Sequence, residues 1–224
     1  MDYGQIYRDH ADDYDALVAA EDARGELSAR LHALVPAGGT LVDVGTGTGR
    51  ISRMCLHAGR ILGVERAPAM LEIAKAHRDA AGHPDWQLFE GDARALPLGD
   101  GIADAVVAGW VFGHFQAWMP DGWRDEVDRA LAEMRRVARP GAPIVVIETL
   151  GTNHTTPRSH PGLDPYFAHL EAHGFVREVL RTDYRFADHA TARRLVGRFF
   201  GEAMAAAIPG ADVPECTGVW VHVA

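Results

Sequence analysis

Residues 41–50 read LVDVGTGTGR, an apolar run that ends in glycines at alternate positions, Gly45, Gly47 and Gly49. A strand that runs into glycines and then a helix is where, in an α/β protein, a ligand meets a helix N-terminus at the carboxyl edge of a parallel sheet. Spacing decides the ligand. The dinucleotide fingerprint G-x-G-x-x-G has its third glycine at position six; here position six is Arg50 and the third glycine comes one residue early. That shift argues against a nicotinamide dinucleotide.

Two acidic residues sharpen the reading. Glu65 ends the apolar run RILGVE (60–65), 20 positions after Gly45, where a carboxylate can accept hydrogen bonds from both hydroxyls of a ribose. Asp92 follows the run WQLFE (86–90) within EGDARALP, where its carboxylate can accept from an exocyclic adenine amine while the Ala93 amide serves a ring nitrogen. Each also has a plainer role, Glu65 as a solvated strand end and Asp92 as a turn or helix cap. Glycines, ribose acid and adenine acid at successive strand ends together describe an adenosine-bearing ligand.

Outward from this stretch, β-like runs at 40–44, 60–65, 86–90, 103–108 and 143–148 alternate with amphipathic helical stretches, the pattern of a parallel sheet with helices on both faces. Ile51, Met54, Cys55 and Ala58 predict a helix over 50–58, and Pro68 suits the first position of a helix to about residue 80. Asp121 is the expected N-cap of a helix carrying Trp123, Val127, Leu131, Met134 and Val137. Residues 151–162 read as a turn-rich loop, followed by a helix over 163–173 and a strand near 175–186. Asp188 should cap a helix over 189–207 with an apolar face of Ala192, Leu195, Val196, Phe199, Phe200 and Ala203, before a closing strand at 218–224. The first 35 residues present two short helical faces, Tyr14/Leu17/Val18 and Leu27/Leu31/Leu34, separated near Gly25.

Bulk properties narrow the function further. With 224 residues, 47% of them hydrophobic, the chain can bury a sizeable core as one domain with a small appendage. The net charge of −9 and scattered basic residues lack the footprint that binds a nucleic-acid backbone. The opening MDYGQIYRDHADDYD has no apolar signal core and no run is long enough to span a bilayer, so a cytoplasmic protein without a membrane partner is expected. Cys55 and Cys216 read as buried thiols.

LVDVGTGTGR, GVERAPAMLEIA, GDARALPLGDGIADAVVAGWVFGHF and RVARPGAPIVVIETLG, in that order and spacing over residues 40–150, resemble the motifs of class I S-adenosylmethionine-dependent methyltransferases. The resemblance is to the small-molecule group typified by the ubiquinone/menaquinone (methyltransferase type 11) enzymes. It implies a Rossmann-like, doubly wound, mostly parallel α/β sheet of seven strands with an antiparallel last strand. A helical cap over 1–35 would precede a methyltransferase domain over 36–224, with a helical insertion near 187–216 that covers the substrate mouth or builds a dimer contact. The cofactor implied is S-adenosylmethionine, without a metal, and the chain is expected as a monomer or homodimer.

Residue roles follow from the same resemblance. A carboxylate at the Asp43 position orders the glycine loop, which Gly49 completes and whose backbone at Gly45, Thr46 and Gly47 lies against the methionine part of the cofactor. Glu65 would hold the ribose, Arg66 would flank the adenine, Asp92 and Ala93 would read its edge, and Gly109-Trp110 would pass beside the sulfonium. Tyr7 and Tyr14 stand where relatives often close the pocket, although Tyr14 is equally suited to packing with Leu17 and Val18.

A sulfonium already carries an activated methyl group, so the protein's work is to align a nucleophile and exclude water. If the acceptor is a hydroxyl or protonated amine, a base helps, and His114, just past the fourth strand, is the chosen residue; its alternative is a loop or cofactor contact. Glu148, ending the fifth strand, would orient a histidine or a cationic substrate, or else be satisfied by backbone amides. His154 is a substrate-side candidate in the lid-like loop, where it and His160 do not make a metal site. His169 and His173 in HLEAH are not H-E-x-x-H and read as two solvent-facing helix histidines. The segment GWVFGH lacks the Asn/Asp-Pro-Pro-aromatic tetrad, and no Pro-Cys nucleophile or magnesium-binding carboxylate set is present. A small molecule methylated on oxygen, nitrogen or carbon remains. The alternatives are a nicotinamide-dependent oxidoreductase, opposed by the glycine spacing, and a non-catalytic module that holds the same cofactor.

Overall fold

Thr40–Val44 (β1) is the strand around which the sheet is laid down; Leu41, Val42 and Val44 bury it on both faces, and Asp43 is the one charged residue buried among them. The computed structural model describes residues 10–224. Arg60–Glu65 (β2) and Trp86–Glu90 (β3) add in parallel on one side. Ala105–Gly109 (β4) and Pro143–Thr152 (β5) add in parallel on the other. Glu215–Val223 (β9) runs antiparallel between β5 and Val176–Arg181 (β6), which completes the seven-stranded order β3-β2-β1-β4-β5-β9-β6. The order reverses between β1 and β4, which opens a crevice at their carboxyl ends. A ribbon of Tyr184–Arg185 (β7) and Asp212–Val213 (β8) stands apart from the sheet.

Helices close both faces. Ala11–Ala19 (α1) and Glu26–Leu34 (α2) precede the sheet, and Asp22 starts α2 by accepting from the Leu27 and Ser28 amides, each at 2.9 Å. Leu27 and Leu31 of α2 pack with Ile51, Cys55 and Trp86 against one face. Trp123–Val137 (α6) and Asp164–Ala172 (α7) cover the other with Val127, Leu131, Met134, Tyr166 and Phe167. A third cluster joins Leu17 of α1 to the β7–β8 ribbon and to Ala192, Leu195, Val196 and Phe199 of His189–Phe200 (α8). The remaining helices among the described residues are Arg50–Met54 (α3), Pro68–Ala81 (α4), His114–Trp118 (α5) and Glu202–Ala207 (α9).

The boundaries correct four expectations. The helix predicted over 50–58 ends at Met54, because residues 55–58 turn to pack on the 36–39 turn, where His57 hydrogen-bonds the Val35 carbonyl at 3.0 Å. Asp121 is not the cap of α6; Gly122 holds that position without a side-chain bond. The strand expected near 175–186 divides at Thr182, whose buried hydroxyl donates to Glu21 at 2.9 Å and pulls the chain off the sheet. The helix expected over 189–207 breaks at Gly201, whose φ of 92° lets α9 fold back until Ala205 lies against Gly197. Asp188 caps α8 as expected, accepting from the Thr191 amide at 2.7 Å. On α8, Ala192, Leu195, Val196 and Phe199 pack within the chain, while Phe200 and Ala203 of the predicted face are exposed.

Gly218 on β9 tests how tightly this sheet is packed. A Cβ there would lie 2.4 Å from Cζ3 of Trp220, a fully buried ring stacked on Phe167 at 4.7 Å. Gly218→Ala should cost about 1–3 kcal/mol by overpacking, lowering Tm by about 2–4 °C per kcal/mol. Urea unfolding measures it, and an unchanged midpoint would mean that the ring slides aside.

Candidate active site

The glycine stretch leaves β1 through three residues of positive φ, Gly45 at 66°, Gly47 at 55° and Gly49 at 86°. Each lacks a side chain for its own reason. A Cβ on Gly45 would lie 2.5 Å from Val111, and one on Gly49 would strike the Trp86 ring at 2.9 Å. Gly47 instead faces open space, its added Cβ meeting nothing nearer than Tyr14 at 3.9 Å. Behind the loop, the buried Asp43 carboxylate accepts from the Thr46 hydroxyl (2.6 Å), the Ser52 amide (3.1 Å) and the Ser52 hydroxyl (2.7 Å). Burial pushes the Asp43 pKa up, against those three donors, which pull it down.

In front of the loop lies a cavity of about 450 Å³, within the range of ligand pockets. Gly45 and Gly47 form its floor beside Glu65 and Arg66 from the end of β2. Asp92 and Ala93 bound it after β3, and Gly109, Trp110 and His114 after β4; Tyr14 closes it from α1. Tyr7 lies outside the described residues. Asp43, Thr46 and Gly49 do not reach the cavity and act from behind its wall.

Charge is held firmly at this wall. Glu65 accepts from the amides of Gly47 (3.1 Å), Arg66 (2.8 Å) and Ala67 (2.8 Å), which ties the glycine loop to β2 while leaving lone pairs toward the cavity. Arg94 grips Asp92 with Nε at 2.8 Å and Nη2 at 2.6 Å and holds its pKa down to about 2. The same guanidinium reaches Glu126 of α6 at 2.6 Å.

Several functional positions escaped the reading of the sequence. Arg94 sits at i+2 from Asp92, a spacing suited to a side-chain clamp on a strand-end turn. Trp118 lines the cavity four residues after His114, on the same face of α5; the two rings stack at 5.2 Å, and Arg66 lies 5.7 Å over the indole. Arg50, noted only for breaking the dinucleotide spacing, is buried 3.0 Å from Glu21 and lies 3.8 Å over the Trp110 ring. Trp110 has a φ of 56°, a costly conformation for an aromatic residue, and its amide is anchored to the Ile147 carbonyl at 2.7 Å.

Residues 42–146 match the family described as a methyltransferase domain. Over that span the chain is similar to methyltransferase domains. Among relatives, the malonyl-[acyl-carrier protein] O-methyltransferase of Methylococcus capsulatus is 33% identical over 132 residues, 57% of this chain and 44% of that protein. The demethylmenaquinone methyltransferase of Thermus thermophilus is 34% identical over 119 residues, 52% of this chain and 50% of that protein. The chain thus spans about half the length of the curated relatives it matches. In fold it is similar to an S-adenosylmethionine-dependent methyltransferase from Aquifex aeolicus, with TM-score 0.58, 16% identity and coverage of 95% of this chain and 98% of that one. The [4+2]-cyclase SpnF also shares the fold, with TM-score 0.56, 22% identity and coverage of 89% and 80%. Among the described residues, no helix is long and apolar enough to cross a membrane.

Two residues expected at the cavity lie elsewhere. His154 stands in the exposed loop after β5, where its carbonyl accepts from the Cys216 thiol at 3.5 Å, and it does not line the cavity. Glu148 is buried one layer behind the wall, accepting from the Gly113 amide at 3.0 Å and the Tyr166 hydroxyl at 3.1 Å. It therefore positions the segment that carries His114. His169 and His173, expected to face solvent, both turn onto Asp128 of α6.

Burial raises the Glu148 pKa from 4.5 to about 7, against the donors Gly113 and Tyr166. The folded state therefore holds a proton that the unfolded chain releases near pH 4.5. This contribution to stability is complete below about pH 4.5 and lost as pH rises through about 7. Glu148→Gln should match the parent's Tm at the acid end of that window and exceed it by a few degrees above its upper end. Thermal melts across the window test this, and a constant Tm difference would show that the carboxyl is already ionised throughout.

Proposed function

We propose that the protein transfers the methyl group of S-adenosylmethionine to oxygen, nitrogen or carbon of a small molecule by in-line displacement. The observation that carries this reading is the single cavity wall on which Gly47, Glu65, Asp92, Ala93 and Trp110 converge at the switch point of the sheet. The residues suit the cofactor: Gly47 leaves room for close backbone approach, Glu65 and Asp92 offer carboxylate acceptors, and Tyr14 and Trp110 add aromatic surface to the lining. When bound, S-adenosylmethionine supplies a methyl group already activated on its sulfonium.

The chain's own contribution is placement. Glu65 would take the ribose hydroxyls, Arg66 would flank the adenine, and the Asp92 carboxylate and Ala93 amide would receive its edge. Loss of solvent lowers the His114 pKa from 6.5 to about 4, so its imidazole is neutral at physiological pH and can accept a hydrogen bond. The same burial limits how much of a proton it can carry. His114 thus suits orienting and loosening the acceptor's O–H or N–H rather than holding a full charge. Trp118 fixes its ring plane by stacking. Helix α1 would cap this site through Tyr14, and a small-molecule acceptor would enter beside His114.

A second reading, in which the domain holds the cofactor without transferring its methyl group, draws on the cyclase among the fold relatives. Calorimetry with S-adenosylmethionine, S-adenosylhomocysteine and NAD separates the cofactor classes. The first two should bind and NAD should not, and Glu65→Ala and Asp92→Ala should each weaken binding about 10- to 100-fold. Binding of NAD alone would end the proposal. S-adenosylhomocysteine formation with a panel of hydroxyl, amine and activated-carbon acceptors then separates transfer from mere binding.

With an acceptor in hand, His114→Ala should lower kcat about 100-fold or more while leaving cofactor affinity in place. The parent's kcat should stay flat down to the acid limb set by His114 near pH 4, since the neutral ring is the active form. A limb near the ordinary histidine value of 6.5 would show that the ring is solvated during turnover.

A further inference from the structure

His169 and His173 are one helical turn apart at the end of α7, so their side chains rise from the same face. Across from them, α6 presents Asp128. Its Oδ1 lies 2.6 Å from His169 Nε2 and 2.9 Å from His173 Nε2, and the imidazole rings meet at 4.7 Å between centroids. One ligand atom from each of the three residues falls within 4.8 Å of the others. The geometry points to a divalent transition-metal site between α6 and α7, formed by Asp128, His169 and His173 and distinct from the methyl-transfer cavity.

The donor set selects the ion. Two imidazole nitrogens and one carboxylate oxygen suit Zn²⁺, Ni²⁺ or Cu²⁺, with water completing the coordination, whereas Mg²⁺ and Ca²⁺ favour oxygen throughout. Without an ion, each Nε2 must carry its proton to donate to Asp128. A metal takes the Nε2 lone pairs, each ring proton moving to Nδ1, and widens the ligand spacing to about 3.3 Å, as bonds of about 2.0–2.1 Å in a tetrahedron require. The carboxylate of Asp128 has room for this, its side chain being 43% exposed, while His169 at 15% is held by its surroundings. The edge of the Trp123 ring packs on His169 at 5.5 Å and fixes the imidazole plane.

The consequence is a clamp. Tyr166 lies one turn before His169 on α7, touches Trp123 at 6.3 Å and donates to Glu148, which holds Gly113 beside His114. An ion joining α6 to α7 therefore stiffens the layer behind the cavity. This inference stands on the three side chains alone and does not depend on the methyl-transfer reading.

The test uses the full chain, stripped with a chelator and titrated with ZnCl₂ by calorimetry, with Tm followed in parallel. One Zn²⁺ per chain should bind and raise Tm by mass action. The chain has 12 histidines, so variants decide where the ion sits. His173→Ala and Asp128→Asn should each weaken this binding by more than the roughly 10- to 100-fold that outer-shell changes cost. CuCl₂ should quench the fluorescence of the neighbouring Trp123, and Trp123→Phe should remove that part of the quenching. Melting curves of the metal-free variants check that they fold. Zn²⁺ binding that survives both ligand substitutions, or no binding by the parent chain, would overturn the proposal.

Discussion

The buried carboxylate of Asp43 is the point on which the site depends. A glycine loop has no side chains with which to fix itself, and its backbone freedom must be removed by bonds from outside. Asp43 does this from the last turn of β1, drawing in Thr46 from the loop and both the amide and hydroxyl of Ser52 from α3. Glu65 does the same from β2 through the Gly47 amide. Strand, loop and helix are thereby locked by two carboxylates, one on each side of the turn, and the cavity floor inherits the rigidity of the sheet.

A second buried knot attaches the N-terminal helices to that floor. Arg50 pairs with Glu21 and stacks on Trp110, while Glu215 of β9 lies beside the same carboxylate and accepts from the Thr149 hydroxyl. Burial, with the Glu21 charge next, drives the Glu215 pKa upward, because one guanidinium cannot neutralise two carboxylates in a dry interior. Such an arrangement contributes little net stability, but every misplacement leaves a buried charge unmatched. It therefore specifies how the segment bearing Tyr14 sits over the cavity. Arg194 and Arg198 of α8 add to this by pairing with Asp13, so α8 braces α1.

The layer behind His114 shows how the two halves of the molecule meet. Glu148 receives Gly113 from the β4 exit and Tyr166 from α7, and Trp123 of α6 packs on Tyr166. The wall of the cavity at His114 thus rests on helices that do not line it.

The sequence by itself determined the central sheet and the residues that line the cavity beside the glycine loop. Alternating apolar runs, the early third glycine and the acids at 65 and 92 are local features, readable because a strand and the turn after it are set by neighbouring residues. Pro68 and Asp188 marked helix starts for the same reason. What only the tertiary structure decided are contacts between residues far apart in the chain: Arg50 on Glu21, Arg94 bridging Asp92 to Glu126, the two α7 histidines on Asp128, and Glu148 turned behind the wall instead of into it. The divisions at Thr182 and Gly201 belong to the same class, since buried partners elsewhere moved those boundaries. Pattern specifies which face a side chain occupies, but its partner is fixed only when another element packs against that face and the buried polar groups must all find bonds.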